Sequence, residues 1–283
     1  MTEIAFQKTR GPFLYSLTAR LLSYTPHWLL FHVSRVGGLV HFLVSREKRR
    51  SYLSNLASAA HIPRGFKALR AFQNHALNVL EILKATSESP SEIMERVTIQ
   101  GKEHLDDALR TRTGLILVTI HSGNWELSGL ALALHGYPIT TIAGEQLRDD
   151  WSECVKDWKR KYGIHVLSPG RSLRDLYRDL QNGRFVVLHM DGNLFSGGTE
   201  LTFLGKRIRL PRGPAHLAHV AGVPITIAVC RRKGMNHLEI SVRGTLPPPR
   251  SADAEFGTTH KLAANVENCI LEDPGQWCIF RRM

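Results

Sequence analysis

From about residue 97 onward the chain alternates short apolar runs with longer segments that have helical periodicity. The apolar runs are rich in valine, isoleucine and threonine and read VTIQG, GLILVTI, YPITTIAG, GIHVL, RFVVLHM and PITIAVC. The segments between them are 102–110, 124–135, 145–162, 171–182 and 212–221. Strands that alternate with helices predict an α/β fold, with a mainly parallel central sheet flanked by helices. GLILVTI is predicted to be a central strand because it is apolar throughout.

The remaining segments complete this prediction. LEISVRG (238–244) is expected to pair antiparallel at an edge of the sheet, and 258–274 is expected to form a closing helix. The proline-rich stretch 244–257 reads as a surface loop before that helix. Residues 51–86 have apolar positions at helical spacing, and the Ser-Pro-x-Glu pattern within 89–97 predicts a short helix.

The chain is strongly basic. It has 283 residues, a formal net charge of +12 and a pI near 9.9. Such an excess of positive charge favours a polyanionic partner, which composition leaves open as nucleic acid, anionic lipid or a phosphorylated substrate. Its four cysteines are scattered without a C-x-x-C pair, which favours a reducing cytoplasm over a disulfide framework.

The first fifty residues are rich in phenylalanine, leucine, tryptophan and tyrosine, but Arg20, Pro26 and Arg35 interrupt the apolar stretches. A membrane-spanning helix and a standard signal peptide are therefore not expected. Short amphipathic helices lying on an anionic membrane surface fit better, and a basic cluster at 46–50 follows them. The alternative is a pair of helices packed on the main domain. We predict membrane-associated helices over 1–50 and one catalytic domain over 51–283.

The central strand ends in HSGNWE, where polar residues follow an apolar run. His121 is the first residue after the strand, Asn124 is a good helix N-cap, and Glu126 lies in the first helical turn. A neutral imidazole there could act as general base while the carboxylate fixes its tautomer. Backbone N–H groups of the turn at Gly123 and Asn124 could bind an oxyanion. The alternative is an N-capped turn in which His121 bonds only to a backbone carbonyl.

Other classes of site lack their patterns. His216 and His219 are three apart on a predicted helix, but no further ligands converge on His121, so no metal site is predicted. The sequence has no G-x-S-x-G, P-loop or G-x-G-x-x-G motif. A non-enzymatic basic protein that binds membranes or nucleic acid remains the alternative, although no nucleic-acid-binding motif is present and nucleic acid is not the expected partner.

Several blocks, in order, resemble the bacterial lipid A biosynthesis (late) acyltransferases and their phosphatidylinositol mannoside acyltransferase relatives. VTIHSGNWELSGLALALHGYPIT is similar to the H-x4-D/E block of that family. The blocks that match around it are 20–59, WKRKYGIHVL, 190–225 and PGQWCIFRRM. The resemblance covers nearly the whole chain and implies a glycerolipid-acyltransferase-like fold.

The resemblance also implies an activity and its partners. A fatty acyl group would pass from a thioester of acyl carrier protein or coenzyme A to a hydroxyl of a glycolipid or lysolipid, without another cofactor and without a covalent acyl-enzyme. His121 would be the general base and Glu126 its partner. The enzyme would lie peripherally on the cytoplasmic face of the bacterial inner membrane. An apolar groove for the acyl chain is expected to be lined partly by 125–135 and 14–42.

The resemblance adds further candidate residues for binding or catalysis. The basic position of the family falls on Lys159 or Arg160, both of which also suit an ordinary helix C-terminus. Asp191 ends the strand RFVVLHM and could equally cap a turn, and Glu200 matches an acidic position of the mannoside-type relatives. The family often has glutamine or a basic residue after this aspartate, where this chain has Gly192. Candidate phosphate ligands, which could equally form an exposed basic hairpin, are Lys206, Arg207, Arg209 and Arg212.

Overall fold

The computed structural model describes residues 15–56, 64–142, 149–168, 173–192 and 198–283. Its helices are α1 (15–23), α2 (His27–Val44), α3 (Arg46–Asn55), α4 (Arg64–Ala85), α5 (Pro90–Glu95), α6 (Glu103–Arg110), α7 (Trp125–Leu134), α8 (Asp149–Lys161), α9 (Leu173–Gln181), α10 (Gly213–Ala221) and α11 (Ala252–Glu272). Its strands are β1 (Val97–Gln100), β2 (Leu115–Thr119), β3 (Ile139–Ile142), β4 (His165–Leu167), β5 (Phe185–His189), β6 (Thr199–Phe203), β7 (Lys206–Leu210), β8 (Ile225–Arg232) and β9 (Leu238–Leu246).

A seven-stranded sheet forms the centre of the fold. Its strand order is β1-β9-β8-β2-β5-β3-β4, and every neighbouring pair is parallel except β8 and β9. This confirms the predicted α/β fold, its mainly parallel sheet and the central position of β2. The prediction that 238–244 lies at an edge is wrong. That segment does pair antiparallel with β8, but β1 adds in parallel on its outer side, with Val97 opposite Leu238.

The sheet separates two hydrophobic cores. All five residues of β2 are buried, and because successive side chains of a strand point to opposite faces, Leu117 lies in one core and Val118 in the other. The core that contains Leu117 includes residues of α4, α6, α7 and α8. The core that contains Val118 includes residues of α9, α10 and α11. Helices therefore cover both faces of the sheet, as in other parallel-sheet proteins.

Some boundaries differ from the sequence prediction for local reasons. The closing helix α11 begins at Ala252 and not at 258, because the Ser251 side chain caps it by accepting a bond from the Ala254 N–H at 3.2 Å. The predicted helical region 51–86 contains the end of α3 and the whole of α4. The short helix α5 is confirmed, with a capping box between Ser89 and Glu92.

The N-terminal helices pack on the domain through α4. Gly38 of α2 lies against Gln73 of α4 so closely that a Cβ at this position would stand 2.4 Å from the Gln73 Cα. The outer surface of α1 and α2 is apolar and exposed, at residues Leu17, Leu21, Tyr24, Trp28, Leu29, Val33, Val36, Leu39, Val40, Leu43 and Val44. Taken singly, none of the described helices has the length and apolar character needed to cross a membrane. Taken together, α2 and α3 have that length and apolar character, but they meet at an angle of 92°.

Candidate active site

His121 and Asp191 leave neighbouring strands side by side. Thr119 pairs with His189 in the register of β2 and β5. Two positions after each of these residues, His121 and Asp191 therefore emerge at the same edge of the sheet. The ring Nδ1 of His121 lies 2.8 Å from Asp191 Oδ1, and the backbone N–H of His121 donates to Asp191 Oδ2 at 2.7 Å. This is the carboxyl edge of the parallel strands, where active sites of such folds lie.

Asp191 is fully buried and accepts a third hydrogen bond. The indole Nε1 of Trp277 donates to Asp191 Oδ2 at 2.8 Å. The C-terminal segment is anchored to the same turn, since the Cys278 N–H donates to the His121 carbonyl at 2.8 Å. Burial alone would raise the pKa of Asp191, but the charge of His121 and the hydrogen bonds that it donates lower this pKa to about 2. The carboxylate is therefore ionised and holds the imidazole in one orientation.

Glu126 lies in the first turn of α7 and forms an ion pair with Lys159 of α8. Both side chains are buried, and both line the cavity that also holds His121. Arg160 points elsewhere and pairs with Asp157 at 2.7 Å on an exposed surface. Of the two candidate basic residues, Lys159 is thus the one that reaches the site. The sequence paired His121 with Glu126, whereas the Nδ1 hydrogen bond goes to Asp191; a catalytic role of Glu126 stays a prediction.

Gly123 and Asn124 shape the turn between β2 and α7. Gly123 has φ of +57°, and a Cβ there would stand 2.8 Å from the Cys230 carbonyl oxygen, so only glycine fits. The Asn124 side chain accepts a bond from the Leu127 N–H at 3.2 Å and donates to Glu81 at 2.9 Å. Since Asn124 is fully buried, its amide caps the helix and does not face the cavity. Binding of an oxyanion by the turn stays a prediction.

A buried polar network fixes this turn against α4 and β8. Arg232 donates two hydrogen bonds of 2.6 Å to the Glu81 carboxylate and a third, of 3.0 Å, to Asn78. Asn78 in turn donates to the Gly123 carbonyl. Because each charge in the pair is desolvated, the loss of one partner would leave the other without compensation. The network therefore holds the backbone around His121 in place.

His189 stacks on His121 and was not anticipated from the sequence. The two ring centroids are 4.1 Å apart with an interplanar angle of 26°. Burial, together with the charge of His121, lowers the pKa of His189 to about 3. No described residue hydrogen-bonds its Nε2. The neutral ring thus forms one wall beside the His121 imidazole.

A cavity of about 540 Å³ extends from His121 across the face of the sheet. Its apolar walls include Val79, Ile82, Leu117, Leu132, Ile139, Ile142, Ile164, Val187, Ala228 and Ile240. As expected, residues of 125–135 contribute, among them Trp125 and Gly129. Of the expected range 14–42, the described part (15–42) contributes no lining residue, and α4 lies there in its place. An apolar cavity with a few convergent polar groups is typical of a small-molecule site.

The remaining candidates lie on the β6–β7 hairpin, except Arg212, which is the N-cap residue of α10. Glu200 pairs with Arg207 at 2.8 Å across the two strands, and Arg209 is the register partner of Glu200. Lys206 donates to Ser54 of α3 at 3.0 Å. Within the described part of the chain none of these four side chains lines the cavity of His121. The structure thus gathers His121, Asp191, Glu126 and Lys159, and leaves the hairpin outside that group.

Comparison with known proteins gives a match over almost the whole chain. Residues 2–283 match the profile of the family described as bacterial lipid A biosynthesis acyltransferase. A phosphatidylinositol mannoside acyltransferase of Mycobacterium tuberculosis is 32% identical over 145 residues, which are 50% of this chain and 46% of that protein. The protein of the same name from Mycolicibacterium smegmatis is 28% identical over 144 residues, which are 50% of this chain and 47% of that protein. The alignments thus span about half the length of these curated relatives.

Proposed function

This chain belongs to the bacterial lipid A biosynthesis acyltransferase family, and on that premise we propose that it transfers a fatty acyl group from a thioester to a hydroxyl of a glycolipid or lysolipid. One observation carries the proposal. His121, oriented by the buried Asp191 carboxylate, lines an apolar cavity of about 540 Å³. A general base and a space for an alkyl chain therefore occur in one site.

We propose the following reaction on this geometry. Asp191 accepts the Nδ1–H of His121, which leaves Nε2 with its lone pair to take the proton of the acceptor hydroxyl. The hydroxyl oxygen attacks the thioester carbonyl and forms a tetrahedral oxyanion. Collapse of this intermediate breaks the carbon–sulfur bond, and the thiolate takes back the proton from the imidazolium. Asp191 stabilises the imidazolium while it exists, as in other histidine–carboxylate pairs.

We assign Glu126 and Lys159 a supporting role. The ammonium group of Lys159 places a positive charge in the cavity, where negative charge develops on the thioester oxygen. Glu126 holds that ammonium group through their buried ion pair. Glu126 would thus assist His121 through the electrostatics of the cavity.

Direct transfer is favoured over a covalent acyl-cysteine. Cys230 and Cys278 both line the cavity. Burial raises the pKa of Cys230 to about 11 and that of Cys278 to about 12. Both thiols are therefore protonated at neutral pH and are poor nucleophiles.

The donor and the location complete the proposal. We propose acyl carrier protein or coenzyme A as the thioester carrier, and the cytoplasmic face of the inner membrane as the working surface. The exposed apolar residues of α1 and α2 and the net charge of +12 support contact with anionic lipid. The names of the mycobacterial relatives suggest a phosphoinositol-based glycolipid as acceptor.

The test is transfer on vesicles. The full chain is incubated with acyl-coenzyme A or acyl-acyl carrier protein and a panel of glycolipids and lysolipids in anionic vesicles, and products are identified by mass spectrometry. The proposal predicts a product heavier by one acyl group and flotation of the protein with the vesicles. Release of free fatty acid alone, or retention on DNA without any transfer, would contradict it.

A further inference from the structure

Two cations lie at the exposed side of the catalytic cavity. Lys48 of α3 and Arg281, near the C-terminus, both line the cavity that holds His121, and both residues are exposed to solvent. They come from sequence positions far apart and line the same cavity only because of the fold. The entrance to the proposed catalytic site thus carries two positive charges.

No carboxylate of the described residues pairs with either charge. Among the residues that the structure describes, no acidic side chain lies within 4.0 Å of the Lys48 or Arg281 nitrogens. The carboxylates near the cavity are engaged elsewhere, Glu126 with Lys159 and Asp191 with His121 and Trp277. The nearest polar partner of Lys48 is His41, whose Nε2 is 3.4 Å from the Lys48 Nζ. Within the described part of the chain, an anion at the entrance would therefore meet two cations and no competing acid.

Buried contacts fix the backbone that carries Arg281. The amide of Asn55, which is fully buried, donates to the Arg281 carbonyl at 2.8 Å and accepts from the Met283 N–H at 3.1 Å. The preceding side chain, Phe280, packs against Phe72 with ring centroids 4.4 Å apart. The guanidinium therefore projects from an anchored backbone, so ligand binding does not have to order this segment of the chain.

Gly192 leaves the space that the Arg281 guanidinium occupies. A Cβ on Gly192 would stand 2.9 Å from the Arg281 Nη2, which is closer than van der Waals contact allows. Gly192 follows Asp191 directly, so the guanidinium lies beside the residue that orients His121. Any larger residue at this position would displace the guanidinium.

We propose that Lys48 and Arg281 form a phosphate-binding subsite at the entrance of the cavity. A guanidinium binds two phosphate oxygens through its planar fork, and an ammonium adds a point charge. The proposal rests on the proposed function for the identity of the ligand, since a phosphate can come from the pantetheine arm of the donor or from the headgroup of a phospholipid acceptor. In either case the subsite places the reacting group within reach of His121.

Binding of soluble probes tests the subsite without catalysis. Calorimetry on the full chain compares 4′-phosphopantetheine with pantetheine, and glycerophosphoinositol with inositol. The subsite predicts that at least one phosphate-bearing probe binds at least about tenfold more tightly than its phosphate-free counterpart. The pair that shows the difference identifies the source of the phosphate. Equal binding of both members in both pairs, or no binding of any probe, would overturn the proposal.

Variants with matched controls locate the effect. Arg281→Gln and Lys48→Gln should each weaken binding of the phosphate-bearing probe about tenfold or more. The controls Arg250→Gln and Lys261→Gln, at residues exposed elsewhere, should not change this affinity. Gly192→Ala keeps every charge but displaces the Arg281 guanidinium, so it should weaken binding of the same probe. Gly257→Ala, where a Cβ meets open space, is its control. Unchanged affinity in Arg281→Gln would refute the subsite.

Kinetics separate this proposal from the proposed function. If phosphopantetheine identifies the source, Arg281→Gln should lower kcat/KM for acyl-coenzyme A but not for the phosphate-free acyl-N-acetylcysteamine thioester. If glycerophosphoinositol identifies the source, Arg281→Gln should lower kcat/KM for a phosphate-bearing acceptor but not for a phosphate-free one. Phosphate binding that depends on Arg281, without transfer from any donor, would leave the subsite standing and refute the acyltransferase. Transfer with equal losses for phosphate-bearing and phosphate-free substrates would refute the subsite alone.

Discussion

The imidazole Nδ1 of His121 lies 2.8 Å from a carboxylate oxygen of Asp191, a residue 70 positions further along the chain. The two residues meet because β2 and β5 are parallel neighbours in register, and each residue follows the carboxyl end of its strand. His121 and Trp277 together donate three hydrogen bonds to the buried carboxylate. In the proposed reaction this pair sets the tautomer of the base.

Removal of the Asp191 charge should abolish most of the activity. Asp191→Asn no longer stabilises the imidazolium and permits the wrong tautomer, so kcat should fall by about 10²–10⁴-fold. The assay is acyl transfer under saturating donor, with circular dichroism as the measure of folding. Asp175→Asn, in α9, provides the control because Asp175 does not line the cavity of His121. A folded Asp191→Asn variant with full activity would refute the assigned role.

The buried pair of Glu126 and Lys159 should couple in a double-mutant cycle. Lys159→Met removes the buried ammonium group that pairs with Glu126, and Glu126→Gln removes the carboxylate of the same ion pair, so each should lower the free energy of unfolding by about 3–5 kcal/mol. The double variant should recover part of that loss. The measurement is urea denaturation, with Arg160→Met, on the exposed side of α8, as the control. Additive losses in the double variant would argue against a direct pair.

Gly129 offers a site at which the cavity can be shortened. It lines the cavity, and a Cβ there would meet no heavy atom of the described residues within 4 Å. Gly129→Leu should therefore fold and fill part of the cavity, which shifts preference from long towards short acyl chains. The measurement compares transfer rates for thioesters from octanoyl to stearoyl. Gly65→Leu, which also meets open space but lies outside the cavity, should keep the original profile, and an unchanged profile in Gly129→Leu would contradict the acyl-chain assignment.

His75, which lines the cavity, should make the fold less stable in acid. Burial lowers the pKa of His75 to about 4, below the value of 6.5 that such a group otherwise has. Between those values the unfolded chain binds a proton that the folded chain does not, so this contribution is present above pH 6.5 and is lost as pH falls towards 4. From about pH 7.5 to about pH 5 the loss should be about 1–2 kcal/mol.

The variant His75→Phe should lose less stability over that pH interval than the wild-type chain, because phenylalanine does not titrate. Urea denaturation at both pH values gives the difference. The exposed His260, replaced by glutamine, serves as the control. Equal pH dependence of His75→Phe and the wild-type chain would show that His75 contributes nothing to it.

The sequence predicted the local features of the site well. The apolar run of β2 that stops at His121, and the Asn124 cap, follow from neighbouring residues alone. The choice of Lys159 over Arg160 was also within reach of the pattern. Lys159 lies four positions after the buried Val155, on the same face of α8, whereas Arg160 does not.

The features that depend on strand order could not be read from the sequence. Asp191 becomes the partner of His121 only because β5, and no other strand, lies beside β2 on that side. The segment 238–244 was predicted to lie at an edge, but β1 pairs with β9 on its outer side. The alternating burial of β9 reflects covering of one face and says nothing about a further neighbouring strand. The contact of Arg281 with Gly192 likewise requires the C-terminal segment to be placed in space.

The most direct test of the account is acyl transfer by His121→Ala beside the wild-type chain, on the same vesicles and with the same thioester. The account predicts that the wild-type chain yields an acylated glycolipid or lysolipid, and that the variant stays folded but is slower by about 10²–10⁴-fold, the loss expected for a missing general base. A folded His121→Ala variant that transfers the acyl group at the wild-type rate would contradict it.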